Sequence, residues 1–453
     1  MNNGQSQRLV LTGDSIITRR LSGRQDESTT ELGKYISAAT VAFTNLEVLP
    51  NDFRGYPAVE SGGTHLAAHG WVVDELQALG FDVFACANNH ALDYSIEGLL
   101  ASIEALEVRG VPFAGIGRTL SAARMPAYVD CGDTSVAVIS CASTFAKGQE
   151  AGEQGADMQG RPGLSPLRFD TVYEVEREQL DALRNIATDL GLEEQRLGRI
   201  EMGFAFPPDD PDLFHLLEPN LGAGSLLDAK FRIASKAAVK TSPKQRDVDA
   251  ITRWVRDARL RADTVIVSLH AHEQGAAKEE PADFMREFAH EVIDQGADVV
   301  VGHGPHLLRG MEIYKGRPIF YSLGNFVAQN ELVYKLPMDA YDRFRVDPGK
   351  TPSEVFLSRT ENDQKSFPAD KRYWQTVMPM CELVGGGVEG MEIVPVTLGH
   401  GQAARHRGRP SLAAGEEAEE ILSRFKRLSE NLGTEFEVMD GKLRPHLRVS
   451  EYA

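Results

Sequence analysis

The chain has little cysteine, no excess of basic charge and no long apolar run, and each shortage removes a class of protein. Its four cysteines, Cys86, Cys131, Cys141 and Cys381, show no CxxC spacing and lie mostly in apolar stretches. That pattern speaks against a disulfide scaffold or thiolate zinc site, and reduced, buried thiols are expected. Acidic residues outnumber basic ones 66 to 48, for a formal charge of -18. A nucleic-acid binder needs a basic surface to meet phosphates, so that class is set aside. An acidic surface mainly signals solubility, and it does not forbid an anionic ligand, because a local cationic pocket overrides the global field. The opening MNNGQSQRLVLTGD lacks the basic-then-apolar order of a signal segment, and no stretch approaches the length that spans a bilayer. The expectation is a soluble, cytoplasmic protein with neither nucleic acid nor membrane as partner.

What is present is a large potential core: 453 residues, 42% of them hydrophobic. That length accommodates two or three domains, or one large α/β domain with insertions. Short apolar strands are expected at residues 8–12, 41–45, 81–87, 111–114 and 136–141, with helical spacing at 71–79 and 96–109 between them. Buried strands joined by helices predict a largely buried α/β sheet. The pattern breaks over 146–245, where Gly, Gln and Pro accumulate. One amphipathic helix is expected at 171–190, stopped by Gly191, and irregular chain at 200–245. This segment reads as an insertion or lid, or equally as an ordinary surface excursion. Helices at 247–259 and 283–295 and strands at 264–269, 298–301 and 317–323 resume the pattern. After a polar stretch at 331–380, a strand at 391–396 and a helix at 416–432 follow. The expected organisation is a domain over 8–330 containing the 146–245 insertion, with 331–453 as an extension packed on it. There is no internal repeat and no low-complexity tract.

Polar, metal-competent side chains recur where the apolar strands end. Asp14 follows Leu9-Val10-Leu11 beside Gly13, where a glycine lets the chain turn while the carboxylate projects over the sheet edge. Glu47 repeats the arrangement after Val41-Ala42-Phe43. Asn88-Asn89-His90 leaves the third strand, and two amides with an imidazole are poor core material and good ligand material. Asp93, three residues on, either orients the His90 ring or caps the helix starting near Ser95. His270 and His272 alternate at the end of an apolar β-run, so they are expected on opposite faces, with His270 as the ligand and His272 and Glu273 at the pocket mouth. Gly302-His303-Gly304-Pro305-His306 is the strongest local signal, since two imidazoles on a Gly/Pro-shaped turn converge on one ion or bracket one substrate group. Such side chains gathered at strand ends point to a metalloenzyme.

Together GDSIITR (13–19), NLE (45–47), NNHALD (88–93), the strand leading to His270, GHGPH (302–306) and YSLGNF (321–326) resemble the capsule-biosynthesis CapA-like family, related to calcineurin-like metallophosphoesterases. Order and spacing agree over about 8–330. The resemblance implies a four-layer α/β/β/α sandwich with a metal centre at the strand ends. It matches Asp14, Glu47, Asn89, His270, His303 and His306 to metal positions and His90 to the acid or substrate-contacting histidine. Arg19 falls at the family's arginine, suited to grip a carboxylate or phosphate. Calcineurin-like enzymes begin Asp-x-His, whereas Asp14 is followed by Ser15 and Ile16, so one imidazole of the usual two-metal cluster is missing. A single divalent ion is then expected, with Mn, Mg or Ca favoured by the oxygen ligands and Fe or Zn admitted by the histidines.

Two reactions fit these parts. Cα epimerisation of a residue in a ribosomal peptide, as in lasso-peptide members, needs two proton-transfer groups on opposite faces and positive charge on the enolate-like oxygen. His90 with Asp93 supplies one face, His303 or His306 the other, and the ion with Arg19 the charge. Hydrolysis of a phosphoester or polyglutamate-type amide uses His90 to protonate the leaving group. The depleted metal position and the missing anchor of capsule members favour the epimerase, acting on a peptide or small anionic substrate. A catalytically inert peptide binder is the third class.

Overall fold

A computed structural model describes residues 7–22, 27–207, 210–216 and 229–447. The chain divides into two compact units: residues 1–167, 245–281 and 288–453 form one, and residues 168–244 with 282–287 form the other.

The larger unit is built on two sheets. The first runs Phe436–Met439, Lys442–Pro445, Gly387–Thr397, Gln375–Val384, Gln7–Ile16, Val41–Leu46, Val83–Ala85 and Phe113–Ala114, with Asn325–Ala328 also pairing with Gln7–Ile16. The second runs Met311–Tyr314, Arg317–Phe320, Val299–His303, Thr264–His270, Thr134–Ala142 and Ala127–Cys131. Successive residues of a strand face opposite sides, and both sides are apolar here, which requires a cover on each. Leu9, Leu11, Val41 and Phe43 of the first sheet share one buried cluster with Val136, Val138, Ile266 and Val301 of the second. Their neighbours Val10, Ala42 and Phe84 pack instead against Leu32, Val72, Leu76, Leu99 and Ile103 of the helices Glu27–Ser37, Trp71–Leu79 and Ser95–Val108. On the far side, the helix Gln245–Arg259 packs on Thr264–His270 and Thr134–Ala142. The result is the four-layer α/β/β/α sandwich.

The segment after residue 331 is part of this architecture, because Gln375–Val384 pairs antiparallel with Gln7–Ile16 and Gly387–Thr397 lies beside it. The polar stretch 331–380 also holds the helices Met338–Phe344 and Pro352–Arg359. The expected 317–323 strand ends at Phe320.

In the smaller unit the expected helix over 171–190 is corrected. Its first residues form the strand Phe169–Val175, and helix begins only at Arg177, behind a capping box between Glu176 and Gln179. The run Thr-Val-Tyr-Glu-Val is β-branched and aromatic, which favours strand over helix. The expected irregular chain over 200–245 is likewise corrected, since Phe214–Leu216, Ala229–Ile233 and Ala238–Pro243 complete a four-stranded sheet around Phe169–Val175. Residues 146–167, expected within the insertion, belong to the larger unit, where Gly163–Leu164 pairs with Ile116–Gly117.

Candidate metal centre

Parallel register brings the functional strand ends together. Asp14 lies opposite Asn45 in one sheet, and His270 opposite His303 in the other. Gly13 is required by a close approach: a Cβ there would stand 1.9 Å from the Gly324 carbonyl oxygen, to which the Asp14 N–H donates at 2.8 Å. A Cβ on Gly302 would meet the Tyr321 carbonyl oxygen at 2.3 Å. Both glycines lie within strands, not in turns as expected for Gly13, and the YSLGNF segment wedges against both strand ends and fixes their spacing. At the next turn His306 holds φ of 59°, a region a non-glycine residue enters only when its surroundings impose it. Asn325 is part of that imposition, with Oδ1 3.0 Å from His306 Nδ1.

The carboxylate of Asp14 accepts from Asn45 Nδ2 at 2.8 Å and the Gly304 N–H at 3.2 Å. His303 Nδ1 stands 3.3 Å and His306 Nδ1 3.4 Å from it. Glu47 faces His90 Nε2 at 3.8 Å, His270 Nε2 at 3.7 Å and His306 Nδ1 at 3.7 Å. His270 Nε2 and His272 Nε2 are 3.2 Å apart. Two groups of ligand atoms result, Asp14–Glu47–His270 and Glu47–His272–His306, sharing Glu47.

Both Glu47 oxygens, both His303 ring nitrogens, and the Oδ1 atoms of Asn45 and Asn89 are buried without a hydrogen-bond partner among the described residues. Orphaning that many polar atoms costs about 1–3 kcal/mol each. Burial, reinforced by the charges of Asp14 and Asp93, pushes the Glu47 carboxyl well above its usual range. For Asp14, burial pushes upward, but the imidazoles of His303 and His306 at its oxygens outweigh it and hold the carboxyl well below. Burial drives the His270 imidazole well down and takes His272 to about 3, helped by the neighbouring His306. Neutral imidazoles beside a carboxylate that lacks partners are the donor set of a divalent cation, and the residues fit one.

The structure thus gathers Asp14, Glu47, His90, His270, His303 and His306. Asp93 bonds the His90 ring, its Oδ2 2.6 Å from Nδ1, and Tyr94 occupies the cap position of the following helix, so the ring-orienting alternative is the one found. Asn89 donates to the Gly62 carbonyl at 3.3 Å. Arg19 forms no hydrogen bond or ion pair with the cluster among the described residues; its guanidinium lies over the Tyr334 ring, 4.7 Å from the centroid. The expectation that His272 turns away is corrected: strand geometry stops at His270, so alternation no longer governs the next residues. Arg309, fully buried, donates to the backbone carbonyls of His272 and Lys278 and holds this turn. Asn45 and Asn325, inside the NLE and YSLGNF motifs, hold Asp14 and His306 respectively.

The family model "Bacterial capsule synthesis protein PGA_cap" matches residues 8–330. The chain belongs to that family. Among its PGA_cap relatives, the uncharacterized protein y4sH of Sinorhizobium fredii is 33% identical over 95% of this chain and 91% of its own length. The PGA biosynthesis protein CapA of Bacillus subtilis is 24% identical over 63% of this chain, which spans 54% of CapA. Among solved structures, the NAD nucleotidase NadN of Haemophilus influenzae aligns over 93% of this chain and 56% of its own, with a TM-score of 0.34 and 10% identity. So low a score supports no conclusion about activity. No helix among the described residues is long and apolar enough to cross a membrane.

Proposed function

We propose that this PGA_cap member is a metal-dependent hydrolase, cleaving a phosphoester or an amide in an acidic, polyglutamate-type substrate. The observation that carries the reading is the pair of ligand groups sharing Glu47. The missing first-turn imidazole was the reason to expect one ion and an epimerase. His272 supplies an imidazole from another loop, and that reason loses its force. Four histidines weight the donor set toward Mn, Fe or Zn over Mg and Ca. Asp14, Glu47, His270, His272, His303 and His306 would hold the cation or cations, which when bound polarise the scissile group and lower the pKa of a water molecule.

The chain's own residues do the rest. Asp93 receives the Nδ1 proton of His90, fixing the tautomer and turning Nε2 toward Glu47. When it carries a proton at Nε2 as well, a ring so held gives that proton to a leaving oxygen or nitrogen and is left as the neutral Nδ1–H tautomer. The name of the Bacillus relative, PGA biosynthesis protein, supports an acidic polymer as substrate class.

The test begins with metal analysis of the purified protein, followed by assay of an aryl phosphate and an oligo-γ-glutamate with Mn, Fe or Zn. Metal-dependent release of phosphate or of free glutamate is expected. Incubation of a peptide in deuterium oxide that places deuterium at Cα without cleavage would overturn hydrolysis in favour of epimerisation.

A further inference from the structure

Away from the metal cluster, a groove of about 740 Å³ is lined by Arg19, Arg20, Arg405, Arg407 and Arg409. Such a concentration of guanidinium groups is unexpected on a chain of charge -18. Two carboxylates, Glu331 and Asp363, also line it, and both are already engaged. Arg407 grips Glu331 through Nε and Nη2 at 2.7 and 2.8 Å, and Asp363 through Nη1 and Nη2 at 2.7 and 3.0 Å. Since Arg407 is only 4% exposed, this network is a rigid floor. Arg20 is paired with Glu75.

The remaining cationic capacity faces the groove. Arg19 and Arg405 are exposed and form no ion pair among the described residues. Arg19 is steadied by the Tyr334 ring, a contact that leaves its N–H groups available. The loop bearing the other arginines is pinned at Gly408, whose N–H donates to the Leu398 carbonyl at 2.8 Å and whose carbonyl accepts from Ala328 at 3.0 Å. A Cβ at Gly408 would stand 2.1 Å from the Ala328 carbonyl oxygen, so the close approach demands glycine. Leu332, Phe356 and Leu357 give the same groove an apolar wall.

We infer that this groove is a second ligand site, for an organic oxyanion that carries a carboxylate or phosphate group on an apolar body. Arginine forks read the planar or tetrahedral oxygens, and the apolar wall takes the remainder. None of the metal-cluster residues lines it, so it stands independently of the hydrolase reading.

Calorimetric titration of the full chain at low salt with phenylsuccinate and with phenylphosphonate tests the inference. Binding of one or both is expected, weakened by tenfold or more in the double variant R19Q/R405Q and by added salt. The double variant should keep its metal content and melting temperature, and R253Q, outside the groove, should bind as wild type does. Phenylsuccinate alone would identify a carboxylate ligand, and phenylphosphonate alone a phosphate-like one. Absence of binding by wild type, retention of affinity in R19Q/R405Q, or equal loss in R253Q would overturn the site.

Discussion

The His90 ring is anchored at one nitrogen by Asp93 and faces Glu47 with the other, which separates its role from metal holding. His90→Gln is expected to lower hydrolysis by about 10²–10⁴-fold, the usual weight of a positioned acid, with metal content unchanged. Metal lost along with activity would show His90 to be a ligand instead. His272→Gln should behave oppositely, weakening metal retention on dialysis by at least about tenfold, the scale on which even outer partners of ligands act. These two histidines mark the limit of residue-by-residue reading. His90 was legible because a strand exit is poor core for an imidazole. His272 was not, because alternation was extended two residues beyond where the backbone stops being a strand. For Asn45 and Asn325, only the close packing reveals that one holds Asp14 and the other His306.

Among the elements, the helix Trp71–Leu79 carries Glu75, whose carboxylate accepts from the N–H groups of Leu21 and Ser22 at 2.9 and 3.0 Å and from Arg20 Nη1 at 2.7 Å. Burial pushes this carboxyl up, but the Ser22 and Leu21 amides and Arg20 prevail and hold it below the ordinary value. A folded pKa under the unfolded one, about 4.3, contributes stability that is complete above that pH and disappears as pH falls through the folded value. Wild type should therefore exceed Glu75→Gln in unfolding free energy by about 1.5–3 kcal/mol at pH 7, and denaturant titrations should show the gap closing below pH 4. At the first strand's end, Gly13→Ala forces the Gly324 carbonyl away. A destabilisation of about 1–3 kcal/mol is expected from such overpacking, readable as a lowered denaturation midpoint together with weaker metal retention. The parallel strands of the larger unit were mostly legible, since strands covered on both faces read as short apolar runs. Gln375–Val384 was not, because Pro379 lies in its middle, and a residue without an N–H argues against a central strand. The strand Phe169–Val175 was absorbed into the helix that follows it.

For the whole molecule, the layer arrangement was legible through its motifs, while the pairing of the final third of the chain with the first strand was not, because nothing local encodes a contact across more than three hundred residues. The metal cluster sits where these layers meet, so its occupant bears on global stability. Chelation should lower the melting temperature, and readdition of the ion should restore it; at a free concentration a hundredfold above Kd the ion stabilises by about 2.7 kcal/mol. An unchanged melting curve after verified metal removal would show that the cluster does not couple to folding.

The neighbours of Gln7–Ile16 carry one more consequence. One flank is met early, by Val41–Leu46; on the other, Asp14–Ile16 wait for Asn325–Ala328 and Gln7–Val10 for Gln375–Val384. During synthesis this strand therefore emerges long before either partner on that flank. Until then it presents an open rim of unpaired amides and carbonyls to other nascent chains, and a product terminated before residue 375 would keep that rim permanently.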